Sequence, residues 1–193
     1  MKIFTVRLVK KVRYPADIPS GNYPEISFVG RSNVGKSSAL NCLIGRNVLS
    51  PVSKSPGRTR ELLYFLVNEK FYFVDLPGYG YAQRSDRDKE RWKELLEVYL
   101  SGSTNLKGIV QILDIRHDPS TLDMQMLSWL GESGKPTLFL LTKSDKLSRN
   151  RILQRLKTIA QALEVTDDSS LITFSARTGA GKKDVWGAIT NLL

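Results

Sequence analysis

Hydrophobic positions along this chain switch repeatedly between the two-residue period of strands and the 3.6-residue period of helices. Ile26, Phe28 and Val29 form a short apolar run that enters a Gly-rich turn, and residues 36–43 follow as a helix. Residues 62–67 and 71–76 predict two strands joined across Asn68-Glu69-Lys70, a link of hairpin length. Residues 88–100 place Trp92, Leu95, Leu96, Tyr99 and Leu100 on one helical face. Residues 109–115 are apolar and β-branched, as a strand covered on both faces must be, and residues 137–141 read the same way. Residues 122–130 predict a helix. Ser148 can cap another, whose apolar stripe is Ile152, Leu153, Leu156, Ile159, Ala160 and Leu163. Residues 171–174 predict a strand and 182–193 a closing helix. Residues 51–60 are rich in Ser, Pro, Gly and Arg and predict a loop.

Such alternation predicts an α/β, three-layer fold: a mostly parallel sheet of about six strands, helices on both faces, and one antiparallel edge strand from the hairpin. Residues 1–23 form a basic extension that packs on the domain and has room for one strand; residues 24–193 are expected to be a single domain. In sheets of this kind ligands bind beyond the carboxyl ends of the strands.

Bulk properties narrow the class. The 193 residues, 41% hydrophobic and 25% charged, suit one soluble domain with a real core. No apolar run approaches the roughly 20 residues of a membrane helix. The first residues alternate without the apolar core of a signal peptide, so a cytoplasmic location is expected. The single cysteine, Cys42, cannot form an internal disulfide and reads as a small buried hydrophobe. The single histidine, His117, excludes a multi-histidine metal site. A net charge of +10 favours an anionic partner such as nucleic acid or an acidic membrane surface over merely solvated lysines; its spread along the chain marks no binding face.

The chemistry sits at the predicted strand ends. Gly30-Arg31-Ser32-Asn33-Val34-Gly35-Lys36-Ser37 matches G-x-x-x-x-G-K-[ST] between a strand and a helix. Its glycines let backbone N–H groups and the helix N-terminus face phosphates. Lys36 can reach the β- and γ-phosphates, and Ser37 can bind Mg²⁺. Asp75-Leu76-Pro77-Gly78 ends a later strand; the aspartate can hold Mg²⁺ through water and Gly78 can offer an N–H to the γ-phosphate. Thr59, in Pro56-Gly57-Arg58-Thr59, can complete the metal shell. In Thr142-Lys143-Ser144-Asp145 the Asp145 carboxylate can accept two hydrogen bonds from guanine, a donor pair that adenine lacks. The Lys143 stem can cover the base. Phe174-Ser175-Ala176 ends the last strand, where the Ala176 N–H can donate to guanine O6.

These motifs, with Ser38 and the run Gly78-Tyr79-Gly80-Tyr81-Ala82, give a sequence that resembles the translation-factor-related P-loop GTPases and, within them, the EngB family of bacterial ribosome-assembly GTPases. The resemblance runs from about residue 5 to the end. It implies a monomeric GTP-binding domain over residues 24–193, with GTP or GDP and Mg²⁺ as ligands. Lys36, Thr59 and Gly78 would serve hydrolysis; Ser37, Thr59 and Asp75 would hold the metal. It also implies the large ribosomal subunit as partner, and a link to cell division and septation.

Some positions depart from the commoner GTPase pattern. Tyr79 follows Gly78 where many GTPases carry a glutamine that orients water, so slow intrinsic turnover is expected. Asn33 matches an asparagine that in related GTPases helps hold K⁺; satisfying a backbone turn is the alternative. Thr142 replaces the usual asparagine and, reaching less far toward the P-loop, implies weaker nucleotide affinity. Tyr79, Tyr81 and Arg84 suit either RNA or partner contact or local packing. The loops at 53–60 and 78–87 are the expected switches. His117 reads as a loop or cap residue.

Overall fold

The computed structural model describes residues 1–45, 61–80, 86–165 and 167–193. Gly57, Arg58, Thr59, Tyr81, Ala82 and Arg84, and the loop predicted over 51–60, lie outside the described residues.

Strands β1 (Val6–Val12), β2 (Glu25–Gly30), β3 (Leu62–Val67), β4 (Phe71–Asp75), β5 (Leu106–Asp114), β6 (Thr137–Thr142) and β7 (Leu171–Thr173) form one sheet in the order β1-β3-β4-β2-β5-β6-β7. Among the described residues the α-helices are α1 (Lys36–Ile44), α2 (Asp86–Gly102), α3 (Thr121–Glu132), α4 (Arg149–Ala162) and α5 (Lys182–Leu192). Among the described residues the sheet has seven strands, where the pattern suggested about six. The added strand is β1, from the N-terminal extension, which pairs antiparallel with β3. β3 is the one strand opposed to both of its neighbours, but it lies inside the sheet, because β1 takes the edge.

β1 is the strand for which the extension had room; the sequence marks it weakly because only Val6 and Val12 at its ends are buried. Backbone pairing with β3 holds it, Arg7 adds an exposed pair with Glu69, and one side chain anchors the residues just before it. Asn68 Oδ1 accepts from the N–H groups of Phe4 and Thr5 at 2.8 and 3.2 Å, and Asn68 Nδ2 donates to the Lys2 carbonyl at 2.9 Å. Asn68 and Glu69 both adopt left-handed φ, 51° and 54°, which turns β3 back into β4 with the twist a tight hairpin needs. Lys10 and Lys11 on the outer strand discourage pairing with another sheet edge.

Alternate residues of the buried strands feed opposite layers. Ile26, Phe28, Phe73, Val110, Ile112 and Leu140 face α1 and α5; Val29, Val74, Leu76 and Ile109 face α2 and α3. Leu113, Phe139 and Leu141 meet Ile159 of α4 and Leu163 just past its end. Ser120 caps α3 in a reciprocal box with Asp123, and the Ser148 hydroxyl caps α4 by accepting from the Arg151 N–H at 3.4 Å. Phe73 stacks on Trp186 of α5, with ring centroids 5.4 Å apart and planes 17° from parallel. The chain passes from β2 toward β4 on one side and returns to β5 on the other, so the loop after β2 sits at the reversal of strand order, where such sheets bind ligands.

Phe73 has no exposed surface and locks α5 to the sheet. Phe73→Ala should lower unfolding free energy by about 3–5 kcal/mol, read by thermal or urea denaturation.

Candidate functional site

The Gly-rich turn begins where no side chain fits. A Cβ on Gly30 would lie 2.8 Å from the Ile112 carbonyl oxygen of β5 and 3.0 Å from Val34, so only glycine lets β2 turn this close to its neighbour. Asn33 follows in a left-handed conformation (φ 68°), which asparagine tolerates better than most residues. Gly35 (φ 99°) then starts α1, and no side chain caps that helix end. The first N–H groups of α1, those of Lys36, Ser37 and Ser38, are of the kind that bind anions at helix N-termini.

The end of β4 lies against this turn. Asp75 is buried, and its carboxylate accepts a hydrogen bond from Lys36 Nζ. The Leu76 N–H bonds the Phe28 carbonyl at 2.9 Å, so β4 continues alongside β2. Trp92 Nε1 of α2 donates to the Pro77 carbonyl at 3.3 Å. Gly78 then meets the turn directly: a Cβ there would be 3.3 Å from the Gly30 carbonyl oxygen and 3.6 Å from Ser32 N. Ser37 and Asp75 offer hydroxyl and carboxylate oxygens, hard donors that fit Mg²⁺, an ion that commonly takes one or two carboxylates together with substrate phosphates. Among the described residues no group of three His, Cys, Asp or Glu could hold a metal by itself.

A second corner forms at the ends of β6 and β7. The Thr142 hydroxyl lies 2.5 Å from the Val34 carbonyl and 3.0 Å from that of Leu113. Its one proton serves one acceptor at a time, and the shorter contact ties this loop to the Gly-rich turn. Although threonine reaches less far than asparagine, β5 and β6 bring the two loops close enough for its hydroxyl to make the tie. Lys143 (φ 62°) adds a second tie, donating to the Asn33 carbonyl at 2.7 Å and pairing with Asp114 at 2.9 Å. Ser144 N–H bonds the carbonyl of buried Phe174 at 3.1 Å, which sets the Ser175-Ala176 turn beside Asp145. The Ser175 hydroxyl donates to Asp145 Oδ1 at 2.8 Å. Asp145 Oδ2 is buried and has no hydrogen-bond partner; the Lys146 and Arg177 cations stand 3.9 and 4.0 Å away. A cleft of about 790 Å³ opens here between Gly35, Asn41, Cys42, Thr142, Lys143, Asp145, Ala176 and Arg177. Cys42 is half-buried, packing on the core while also forming cleft wall, a role its apolar helical context did not suggest.

Asp114 is a site residue that motif reading passed over. It ends β5 and accepts two hydrogen bonds from the Arg116 guanidinium, at 2.9 and 2.8 Å, as well as pairing with Lys143. Partial burial pushes its carboxyl up, but the hydrogen bonds from Arg116 and Lys143 outweigh this and hold it well below the usual carboxylate range. Its position at a strand's carboxyl end was legible; its partner was not. His117 lies exposed in the turn after β5, its N–H on the Asp114 carbonyl, as a loop residue. Tyr79 is buried and its hydroxyl donates to Asp123, so local packing is the reading the structure favours for it. Asp123 was also overlooked, although the Ser120-x-x-Asp123 spacing before an apolar helix is a capping signature.

A family model described as "50S ribosome-binding GTPase" matches residues 25–143. The probable GTP-binding protein EngB of Pelotomaculum thermopropionicum is 46% identical over 96% of this chain and 93% of its own length. The chain belongs to the EngB family of GTP-binding proteins. The EngB relative from Bacillus subtilis is 39% identical across 100% of this chain and 99% of its own. Among solved structures, a probable GTP-binding protein EngB superposes with a TM-score of 0.72 at 23% identity, covering 87% of this chain and 97% of its own. Era in complex with MgGDPNP and a 16S ribosomal RNA segment gives 0.71 at 24% identity, covering 89% of this chain and 57% of that one; the likeness shows a shared fold. This EngB-family domain is a GTPase that binds GTP and GDP. No helix among the described residues is long and apolar enough to cross a membrane.

In this family member the Thr142 tie should matter for nucleotide affinity. Thr142→Val removes a buried hydrogen bond worth about 0.5–1.5 kcal/mol and should weaken GDP binding by up to roughly tenfold in a fluorescent-nucleotide titration. Asp114, ionised below its ordinary range, stabilises the fold above about pH 4, and that contribution is lost as pH falls toward its folded value. Asp114→Asn should therefore melt earlier than wild type at pH 7, with the gap narrowing below about pH 4.

Proposed function

We propose that this chain is a nucleotide-dependent switch that reads guanine through Asp145, hydrolyses GTP slowly, and acts in assembly of the large ribosomal subunit. The observation that carries the base reading is the Asp145 carboxylate. One oxygen is held by Ser175, and the other is buried without a hydrogen-bond partner at the cleft. A buried acceptor left unpaired is costly, and two donors from guanine N1 and its amino group would relieve that cost where adenine offers no such pair. Thr142, Lys143, Ser144, Phe174, Ser175 and Ala176 shape the base corner. Gly30 to Ser38, with Gly57 and Arg58, surround the phosphates. Leu76, Pro77 and Gly78 carry the chain past the γ-phosphate.

Ser37, Asp75 and Thr59 would hold Mg²⁺, which when bound offsets the negative charge of the β- and γ-phosphates. Lys36 binds and orients the phosphates, and the Gly78 N–H contributes a fixed dipole toward the γ-phosphate. Tyr79 has its hydroxyl committed to Asp123, which supports slow intrinsic turnover, since it offers an attacking water none of the paired donor and acceptor groups of a glutamine. Asn33 lies exposed at the rim of the Gly-rich turn, a position open to a K⁺ ion. The family description as a 50S ribosome-binding GTPase and the net charge of +10 support a ribosomal partner rich in RNA. A role in cell division, a cytoplasmic location, a monomeric state, and a division of the chain into an extension at 1–23 and a GTP-binding domain at 24–193 complete the reading.

Titration of fluorescent GTP, GDP and ATP tests the base assignment. Wild type should prefer guanine strongly, and Asp145→Asn should weaken guanine binding by roughly a hundredfold, the loss of two charge-assisted hydrogen bonds. Equal affinity for ATP and GTP would sink it. Isolated protein should turn over GTP slowly, and faster in K⁺ than in Na⁺ buffer; equal rates in the two salts would remove the role given to Asn33.

A further inference from the structure

The residue after Gly78 is held at both ends. The Tyr79 carbonyl accepts the Ser32 N–H of the P-loop at 3.1 Å, and Arg31 and Tyr79 form an isolated parallel bridge. Its ring is buried at 5% exposure, and its hydroxyl donates to Asp123 Oδ1 at 2.7 Å. Burial, then the Asp123 carboxylate, pushes the phenol far above its ordinary value, so it remains a donor through the physiological range.

Asp123 is itself rigidly placed. Its other oxygen accepts from the Ser120 N–H at 2.7 Å and the Ser120 hydroxyl at 2.6 Å, closing the cap of α3. Arg31 Nη1 of the P-loop stands 3.8 Å from that oxygen. Gln111, fully buried on β5, donates toward the Tyr79 hydroxyl at 3.4 Å and to the Asp123 carbonyl at 3.1 Å. Gly80 (φ 79°) packs over α3, where a Cβ would lie 3.2 Å from Leu122. Gly78 to Gly80 are thus clamped between the P-loop and the first turn of α3.

We propose that Asp123 is a positioning residue for γ-phosphate recognition: acting through Tyr79, it holds Gly78 in place before nucleotide binds and so raises the preference for GTP over GDP. This rests on the GTP-binding role of the P-loop and Gly78 given above. A triphosphate reaches Gly78 and a diphosphate does not. A group already ordered costs less to engage, and that saving enters only the affinity of the ligand that uses it. A phenylalanine at 79 would fill the same space without the tie, so the hydroxyl and carboxylate can be tested apart from packing.

The experiment titrates fluorescent GDP and a non-hydrolysable GTP analogue, with Mg²⁺, into wild type, Tyr79→Phe, Asp123→Asn and the double variant, with melting temperatures taken alongside. Tyr79→Phe should weaken analogue binding by about tenfold, roughly 1.4 kcal/mol, and leave GDP within twofold. The double variant should be no worse than the sum of a shared tie allows, close to the weaker single variant. An unchanged GTP-to-GDP ratio, a parallel loss for both nucleotides with a lowered melting temperature, or a gain in analogue affinity would each overturn the proposal. If Asp123→Asn fails to fold, Tyr79→Phe decides alone. If wild type binds neither guanine nucleotide, the underlying reading fails and this one with it. If wild type binds both and the variants keep its ratio, the GTP-binding reading stands and the positioning role falls.

Discussion

The pairing of β2 with β4 on one side and β5 on the other is the interaction on which the site depends. That parallel ladder aligns the carboxyl ends of three strands, so Gly30, Asp75 and Asp114 emerge at one edge of the sheet. Its tightness sets the chemistry of the turn that follows. With a Cβ on Gly30 only 2.8 Å from the Ile112 carbonyl oxygen, the turn must hug the sheet and direct the start of α1 across the strand ends. A looser ladder would admit a side chain there and leave the helix terminus aimed elsewhere.

Charge is then arranged around this edge in short, mostly buried contacts. Lys36 meets Asp75 beside the phosphate-binding turn, and Lys143 meets Asp114 beside the base corner. In each, a lysine of one loop is oriented by a carboxylate at a strand end. Low exposure strengthens such contacts relative to surface pairs such as Arg7 with Glu69, where both partners are more than half exposed and the net gain is small. The base corner and the phosphate turn are also joined directly, through Thr142 to Val34 and Lys143 to Asn33. A nucleotide spanning the two would therefore meet one connected surface, with its ordering cost largely met by the fold.

Much of this was legible in the chain, and the exceptions have physical causes. Strands with apolar faces and helices with apolar stripes declare themselves, because burial demands a period. β1 did so only weakly, because only its end residues are buried and its middle is held by backbone pairing with β3, which leaves no hydrophobic pattern. The motif residues were readable because the backbone approaches that phosphates require restrict residue type. Asp114 and Asp123 were not, since a carboxylate at a strand end or in a helix's first turn gains its role from a partner distant in sequence: Lys143 for one, Tyr79 for the other. Thr142 shows the same limit from the other side: that its shorter side chain still meets the Val34 carbonyl depends on the distance between two loops, which residue type alone does not give.

The sequence by itself determined the α/β alternation, the P-loop, the Asp75 and Asp145 motifs and the family to which the chain belongs, because each rests on local spacing and residue type. Tertiary structure alone decided that the extension closes the sheet edge, that Thr142 reaches the P-loop, and that Tyr79 is tied to α3. Those outcomes depend on how closely separate segments approach, and that distance is set by packing of the whole core, which no local pattern encodes.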